Sequence, residues 1–146
     1  GSGVLCKNTG MYLNNSLGEI ELNPQGFLGD TKGERLISNM SPIIVNNKSG
    51  IFTIGSPGAD RISSAIAQVL TNYISNKNWS KSINMPRYHV NQDGNVRAEL
   101  GLHLPSVSAT FTEEFDMYFG GVCVTGLEDE LFAHGDPRRS NVHWKN

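Results

Sequence analysis

The sequence predicts an α+β fold, with antiparallel strands in two groups around one central helix. Three observations lead there. Ile62, Ala65, Ile66, Val69, Leu70, Tyr73 and Ile74 recur at the spacing of one helix face, a continuous apolar stripe. Short β-branched and aromatic runs lie on both sides of that stripe and are joined by polar turns. The helical stretches cluster in the middle of the chain, which fits segregated α and β layers better than alternating β-α units.

The elements follow in order. Residues 4–14 have strand character, with Met11-Tyr12-Leu13 as the centre, and a polar turn follows. Residues 20–35 are rich in Gly, Asn, Asp and Pro and lack periodicity, so they read as a long ordered loop of the kind that is usually functional. Ile43-Ile44-Val45 and Ile51-Phe52-Thr53-Ile54 read as a hairpin around residues 46–50. The main helix is predicted over 61–75, and a short second helix over 79–84 is stopped before Pro86. Residues 88–90 and 96–100 are strands around an Asp93-Gly94 turn, and 111–115 read as a helical turn. The last two strands are predicted at 118–124 and 130–134. The first strand has no evident upstream partner. Residues 1–146 therefore read as a single domain that is part of a larger protein, with an exposed sheet edge open to pairing in a homo-oligomer.

Composition narrows the function classes. A length of 146 residues suits one core. A formal charge of −2 argues against nucleic acid as a partner, because phosphate binding needs a basic surface. No apolar run approaches the length of a membrane span, so no membrane partner is expected. Cys6 and Cys123 are too few and too far apart for a disulfide framework or a zinc site. His103, His134 and His143 lack metal-ligand spacing, and His89, behind Pro86-Arg87, reads as packing or bonding locally. No metal and no cofactor is expected. No Ser-His-Asp or Cys-His pairing follows from residue order alone.

Residues 51–62 carry the clearest chemical signal. A buried strand runs through Gly55-Ser56-Pro57-Gly58 into the helix, which presents backbone N–H groups at the positive end of the helix dipole. Such a turn can hold a phosphate, a carboxylate or the oxyanion of a tetrahedral intermediate. The plainer reading is a tight turn with a satisfied N-cap. The spacing is neither that of a dinucleotide-binding glycine motif nor that of a P-loop.

Four blocks resemble, in order, the small-subunit region of the gamma-glutamyltransferases (glutathione hydrolases), a family of N-terminal-nucleophile hydrolases. They are Thr9-Gly10-Met11-Tyr12-Leu13-Asn14-Asn15, Arg35-Leu36-Ile37-Ser38-Asn39-Met40-Ser41-Pro42, Gly55-Ser56-Pro57-Gly58-Ala59-Asp60-Arg61-Ile62 and Pro86-Arg87-Tyr88-His89. Gly135-Asp136-Pro137-Arg138 resembles the family's last strand exit. The resemblance implies part of an αββα sandwich. It also implies a precursor that cuts itself to expose a threonine, whose hydroxyl attacks a γ-glutamyl amide with its own α-amine as base. Water or an acceptor amine then releases the glutamyl group. None of the threonines here aligns with that nucleophile. The expectation is a small-subunit portion, inactive alone, whose partners are the large subunit of the same precursor and a small γ-glutamyl or other amide substrate.

The resemblance also assigns residues. Ser38 and Asn39 stand where the family has two serines that bind the substrate α-carboxylate, and both side chains can donate hydrogen bonds. Their plainer role is to satisfy the loop backbone. Gly58 and Ala59 stand where paired glycines form the oxyanion hole. Alanine keeps the N–H but is less comfortable at positive φ. Glu19 takes the place of the acidic residue that pairs with the substrate α-amine, Ser16 replaces a glutamine or glutamate earlier in that loop, and Glu21 is a nearby substitute. A solvated loop carboxylate is the plainer reading for Glu19 and Glu21. The departures at Ser16, Glu19, Asn39 and Ala59 leave two alternatives open: an acylase of the same fold with a different acyl group, and a non-catalytic module that binds carboxylates or amino acids.

Overall fold

The computed structural model describes residues 2–19, 33, 35, 37–139 and 143–145. The chain divides into two compact units, Gly1–Asn39 and Met40–Asn146. In the first unit the chain folds back on itself. Leu5 bridges Tyr12, the Cys6 N–H donates to the Met11 carbonyl at 2.9 Å, and the Leu13 N–H donates to the Val4 carbonyl at 2.9 Å. The stretch expected as one strand is thus a turned-back loop with a single bridge. Val4, Leu5, Met11, Tyr12 and Leu13 are all exposed, so the apolar pattern there does not report burial. A 3-10 turn, Ser16–Gly18, follows. The loop expected over 20–35, with Glu21, lies outside the described residues except at 33 and 35.

The second unit is built on a five-stranded antiparallel sheet in the order β1-β2-β6-β7-β8, from β1 (Ile43–Asn47), β2 (Gly50–Gly55), β6 (Cys123–Leu127), β7 (Leu131–His134) and β8 (His143–Lys145). Phe52 and Ile54 of β2 point to one face, where they pair with Gly126 and Val124 of β6. Helix α1 (Ile62–Asn76) lays its stripe on that face. Ile62, Ala65, Ile66 and Val69 are buried with Phe52, Ile54, Val122, Val124 and Phe132, while Ile74 at the end of the stripe is exposed. Helix α2 (Trp79–Asn84) is capped by the Asn78 side chain, which accepts from the Lys81 N–H at 2.8 Å. It adds Trp79 and Ile83 to the same core. The Phe52 ring meets Trp79 at 5.5 Å and Phe132 at 6.0 Å between centroids. Gly126 has to lack a side chain here, because a Cβ would stand 2.7 Å from the Phe132 ring and 2.8 Å from that of Phe52.

The smaller sheet holds β3 (Tyr88–Val90), β4 (Val96–Glu99) and β5 (Ala109–Thr112) in the order β3-β4-β5. Its β3–β4 pair is antiparallel, and its β4–β5 pair is parallel. Residues 111–115, expected as a helical turn, are therefore partly strand. Phe111 and Thr112 are strand formers, and Phe115 at φ 57° is not in a right-handed helical conformation. Likewise, 118–124 is not one strand: Met117–Phe119 is a 3-10 turn, and β6 begins only at Cys123. Strand β8 was not anticipated.

Four buried charges sit between these parts. Arg87 donates to Asp136 Oδ2 at 2.6 Å, to the Ile83 carbonyl at 3.1 Å and to the Phe119 carbonyl at 3.1 Å. Arg138 donates to both carboxylate oxygens of Glu99 and, at 3.1 Å, to Asp136 Oδ1. All four residues are at most 4% exposed. Two cations against two anions, with backbone carbonyls taking further guanidinium N–H groups, is the arrangement that makes buried charge tolerable, although Arg87 Nε has no hydrogen-bond partner among the described residues. Burial first and the neighbouring Arg138 second push the Arg87 guanidinium below its usual range, and Asp136 opposes this.

Candidate functional site

Gly58 and Ala59 lie in the second unit, between the end of β2 and the start of α1. Pro57 and Gly58 bend the chain, with Gly58 at φ 129° and Ala59 at φ 50°. The left-handed conformation costs an ordinary L-residue about 1–2 kcal/mol, so this turn has to be held by its surroundings. A 3-10 turn, Ala59–Arg61, leads directly into α1, and the Arg61 N–H donates to the Gly58 carbonyl at 2.9 Å. The N–H groups of Gly58 and Ala59 donate to no protein group among the described residues. Both residues are half-buried. Among the described residues these two adjacent amides ahead of a long helix are not spent on capping, an arrangement that can hold an anion.

The turn is held from behind by the loop before β6. The Gly121 N–H donates to Ser56 Oγ at 3.1 Å, and Ser56 Oγ donates to the Pro57 carbonyl at 2.8 Å. Gly120, at φ 83°, makes this approach possible, because a Cβ on it would stand 2.8 Å from Ser56 Oγ and 2.9 Å from the Pro57 carbonyl oxygen. That loop is in turn fixed by the buried charges. Arg87 grips the Phe119 carbonyl, and Asp136 Oδ2 accepts from the Val122 N–H at 2.7 Å. The Pro86-Arg87 and Gly135-Asp136 blocks thus position the Gly58–Ala59 turn at one remove.

Residue order gave no sign of a further cluster beside the turn. Asp60 forms an ion pair with Arg61, whose guanidinium lies over the Tyr118 ring at 4.7 Å and donates to the Tyr118 carbonyl at 3.2 Å. The second carboxylate oxygen of Asp60 is 3.6 Å from His89 Nε2, and His89 Nδ1 is 3.0 Å from Ser64 Oγ. His89 is 7% exposed. Burial lowers its pKa from the ordinary histidine value, Asp60 opposes that shift, and Arg61 reinforces it. Asp60 and Ser64 are one helical turn apart, which is visible in sequence, but His89 joins them only through the packing of β3 against α1. His89 was expected to pack or bond locally; its partners instead lie 25 and 29 positions earlier in the chain, at Ser64 and Asp60.

The other expected site residues belong to the first unit. Ser16 opens the 3-10 turn, with its N–H donating to Asn14 Oδ1 at 3.1 Å, and Glu19 closes it. Ser16 and Glu19 are half-buried, Ser38 is exposed and Asn39 is half-buried. Glu19, Ser38 and Asn39 each already have an interaction partner. Among the described residues no three His, Cys, Asp or Glu side chains converge as metal ligands, and no helix is long and apolar enough to cross a membrane. Cys6 and Cys123 are free thiols.

Comparison with known proteins places this geometry in a family. The gamma-glutamyltranspeptidase family model matches residues 1–144. A glutathione hydrolase proenzyme of Bacillus subtilis is 28% identical over 104 residues, 70% of this chain and 18% of that protein. One of Pseudomonas aeruginosa is 35% identical over 83 residues, 49% of this chain and 15% of that protein. The chain therefore spans less than a fifth of the length of these relatives. Among solved structures, a gamma-glutamyltranspeptidase of Pseudomonas nitroreducens complexed with L-DON superposes with a TM-score of 0.70 at 24% identity, over 97% of this chain and 85% of that one. The transpeptidase CapD of Bacillus anthracis gives a TM-score of 0.67 at 23% identity, over 92% and 90%. These neighbours share the fold of this chain. With the family model spanning nearly its whole length, the chain belongs to the gamma-glutamyltranspeptidase family.

Proposed function

We propose that this chain is the small-subunit portion of an amidase that hydrolyses or transfers γ-glutamyl groups, with its threonine nucleophile supplied from elsewhere in the precursor. The observation that carries this reading is the pair of amides at Gly58 and Ala59, without a partner among the described residues, in a left-handed turn ahead of a helix. Donors fixed in advance at the point where negative charge develops are the largest single source of rate in acyl transfer. In this reading the two amides hold the oxyanion, Ser38 and Asn39 donate to the substrate α-carboxylate, and Glu19 pairs with the α-amine, with Ser16 beside it. The partner is the large subunit of the same precursor. The matched relatives are proenzymes, which supports a partner of that kind. Residues 4–14, where the exposed edge was expected, form one bridge and no sheet; among the described residues β1 is an edge strand of the main sheet, where a strand of that subunit or of a second copy would add.

The test is reconstitution. The isolated chain should show no turnover of a γ-glutamyl anilide, and turnover should appear when the large subunit and the threonine-bearing segment are supplied. Turnover by the isolated chain, or none after assembly, defeats the proposal. Asn39, Ala59, Glu19 and Ser16 favour a second reading, an acylase with a different acyl group. A panel of acyl anilides on the assembled enzyme separates the two.

A further inference from the structure

We propose that His89 is a positioning residue for the Gly58–Ala59 turn, acting through Ser64 and Asp60, so that the proton on its imidazole sets how firmly the turn is held. The relevance of this to catalysis rests on the oxyanion role proposed above. The brace itself is a property of the fold.

The argument is a count of protons. Ser64 Oγ has one hydrogen and two partners, His89 Nδ1 at 3.0 Å and the Arg61 carbonyl at 3.1 Å. Nε2 of His89 faces an Asp60 carboxylate oxygen at 3.6 Å, so it is stabilised when it carries a hydrogen. In the neutral ring with its hydrogen on Nε2, Nδ1 is a bare acceptor. The Ser64 hydroxyl then donates to Nδ1 and leaves the Arg61 carbonyl. In the imidazolium both ring nitrogens donate. Nδ1–H gives its hydrogen bond to Ser64 Oγ, and the Ser64 hydrogen turns to the Arg61 carbonyl. The third arrangement, a neutral ring with its hydrogen on Nδ1, sets a lone pair against the Asp60 carboxylate and is disfavoured. Protonation of His89 therefore adds one hydrogen bond to the last carbonyl of the 3-10 turn Ala59–Arg61 and tightens the His89–Asp60 pair.

Both effects fall on the residues that follow Ala59, where the backbone is strained at φ 50° and depends on its neighbours to stay so. The charged and titratable groups facing the ring are few. Asp60 and Arg61 come from the turn, Arg97 lies opposite His89 in the β3–β4 register, and the Tyr118 ring stands edge-on at 6.2 Å. Arg97 lies over the Tyr118 ring at 4.4 Å, and the Tyr118 hydroxyl donates to Asn91 Oδ1 at 2.6 Å. Ser64 links His89 to the carbonyl of the turn.

The experiment is amide hydrogen exchange by NMR on the 146-residue chain, across the titration of the His89 ring followed in the same samples. After correction for intrinsic exchange, protection of the Arg61 amide should rise about fivefold as His89 becomes protonated, the effect of one hydrogen bond of ordinary net worth. The midpoint should match that of the ring. In Ser64→Ala the ring should still titrate, with a midpoint moved by the loss of its Nδ1 partner, but the protection step should vanish. An Arg61 amide indifferent to the ring's titration, or a step that persists in Ser64→Ala, overturns the brace. This readout needs no variant in its first arm and no turnover in either, so it stands if the amidase reading fails. In the reconstituted enzyme, His89→Gln should flatten the acid limb of kcat/KM. An active enzyme with an unaltered acid limb overturns the positioning role while leaving the amidase reading intact.

Discussion

Ala59 shows how one side chain can act against the conformation its backbone adopts. At φ 50° its Cβ is strained, and glycine would relieve that strain at the cost of a floppier unfolded chain. Ala59→Gly should raise stability by roughly 0.5–1 kcal/mol, read as a higher denaturant midpoint at unchanged slope. His89 makes a prediction of opposite kind. Its pKa in the folded chain lies below the ordinary value, mainly through burial, so the unfolded chain takes up the proton first as pH falls. Its contribution to stability is fully present above about pH 6.5 and is lost as pH drops through the interval down to the folded pKa. Equilibrium unfolding followed across that interval should lose this slope in His89→Gln. At this scale the sequence was half legible. The turn through Gly58 could be singled out because turn chemistry is local, and Ala59 came in through the resemblance. The partnership of His89 with Ser64, 25 positions away, could not, because only tertiary packing creates it.

The elements most visible in the sequence are those whose pattern is enforced by burial. Helix α1 lies within one residue of its expected bounds, and α2 matches, because the stripe and the stop before Pro86 mark them physically. Strands β1 and β2 were readable from β-branched runs closed by a polar turn. Strand β5 was missed because its parallel partner lies across an irregular stretch, and β8 because three residues carry too little pattern. The buried charges join elements that no local pattern connects. Asp136→Asn keeps the shape but leaves two buried guanidinium groups against Glu99 alone, and it loosens the Val122 amide. The expected loss is about 3–5 kcal/mol in denaturant unfolding, the range for breaking a buried pair from one side. A loss under about 1 kcal/mol, the worth of an exposed pair, would show that this network is solvated.

For the second unit as a whole, the helices among the described residues cover one face of the main sheet. On the other face Ile44, Ile51, Leu127, Leu131 and Trp144 are each 47–73% exposed, and Thr53 and Thr125 share a hydrogen bond across the strands at 2.5 Å. An αββα sandwich places a second sheet against such a face. Leu131→Lys should therefore leave the unfolding midpoint of the isolated chain within about 0.5 kcal/mol while sharply lowering the yield of complex with the large subunit proposed as its partner, measured by co-purification. The strand order carries one more consequence. Strand β2 pairs on one side with its immediate predecessor and on the other with β6, which begins 68 residues after β2 ends. Such wide separation makes loop closure the slow event in forming the sheet. A ribosome will have synthesised the hairpin, both helices and the smaller sheet before the strand that completes the core exists. Until then α1 has only a two-stranded ribbon to lie on. Nascent chains stalled before Gly120 should be protease-sensitive throughout and should acquire protection together, β2 and α1 included, once β6 and β7 have left the exit tunnel.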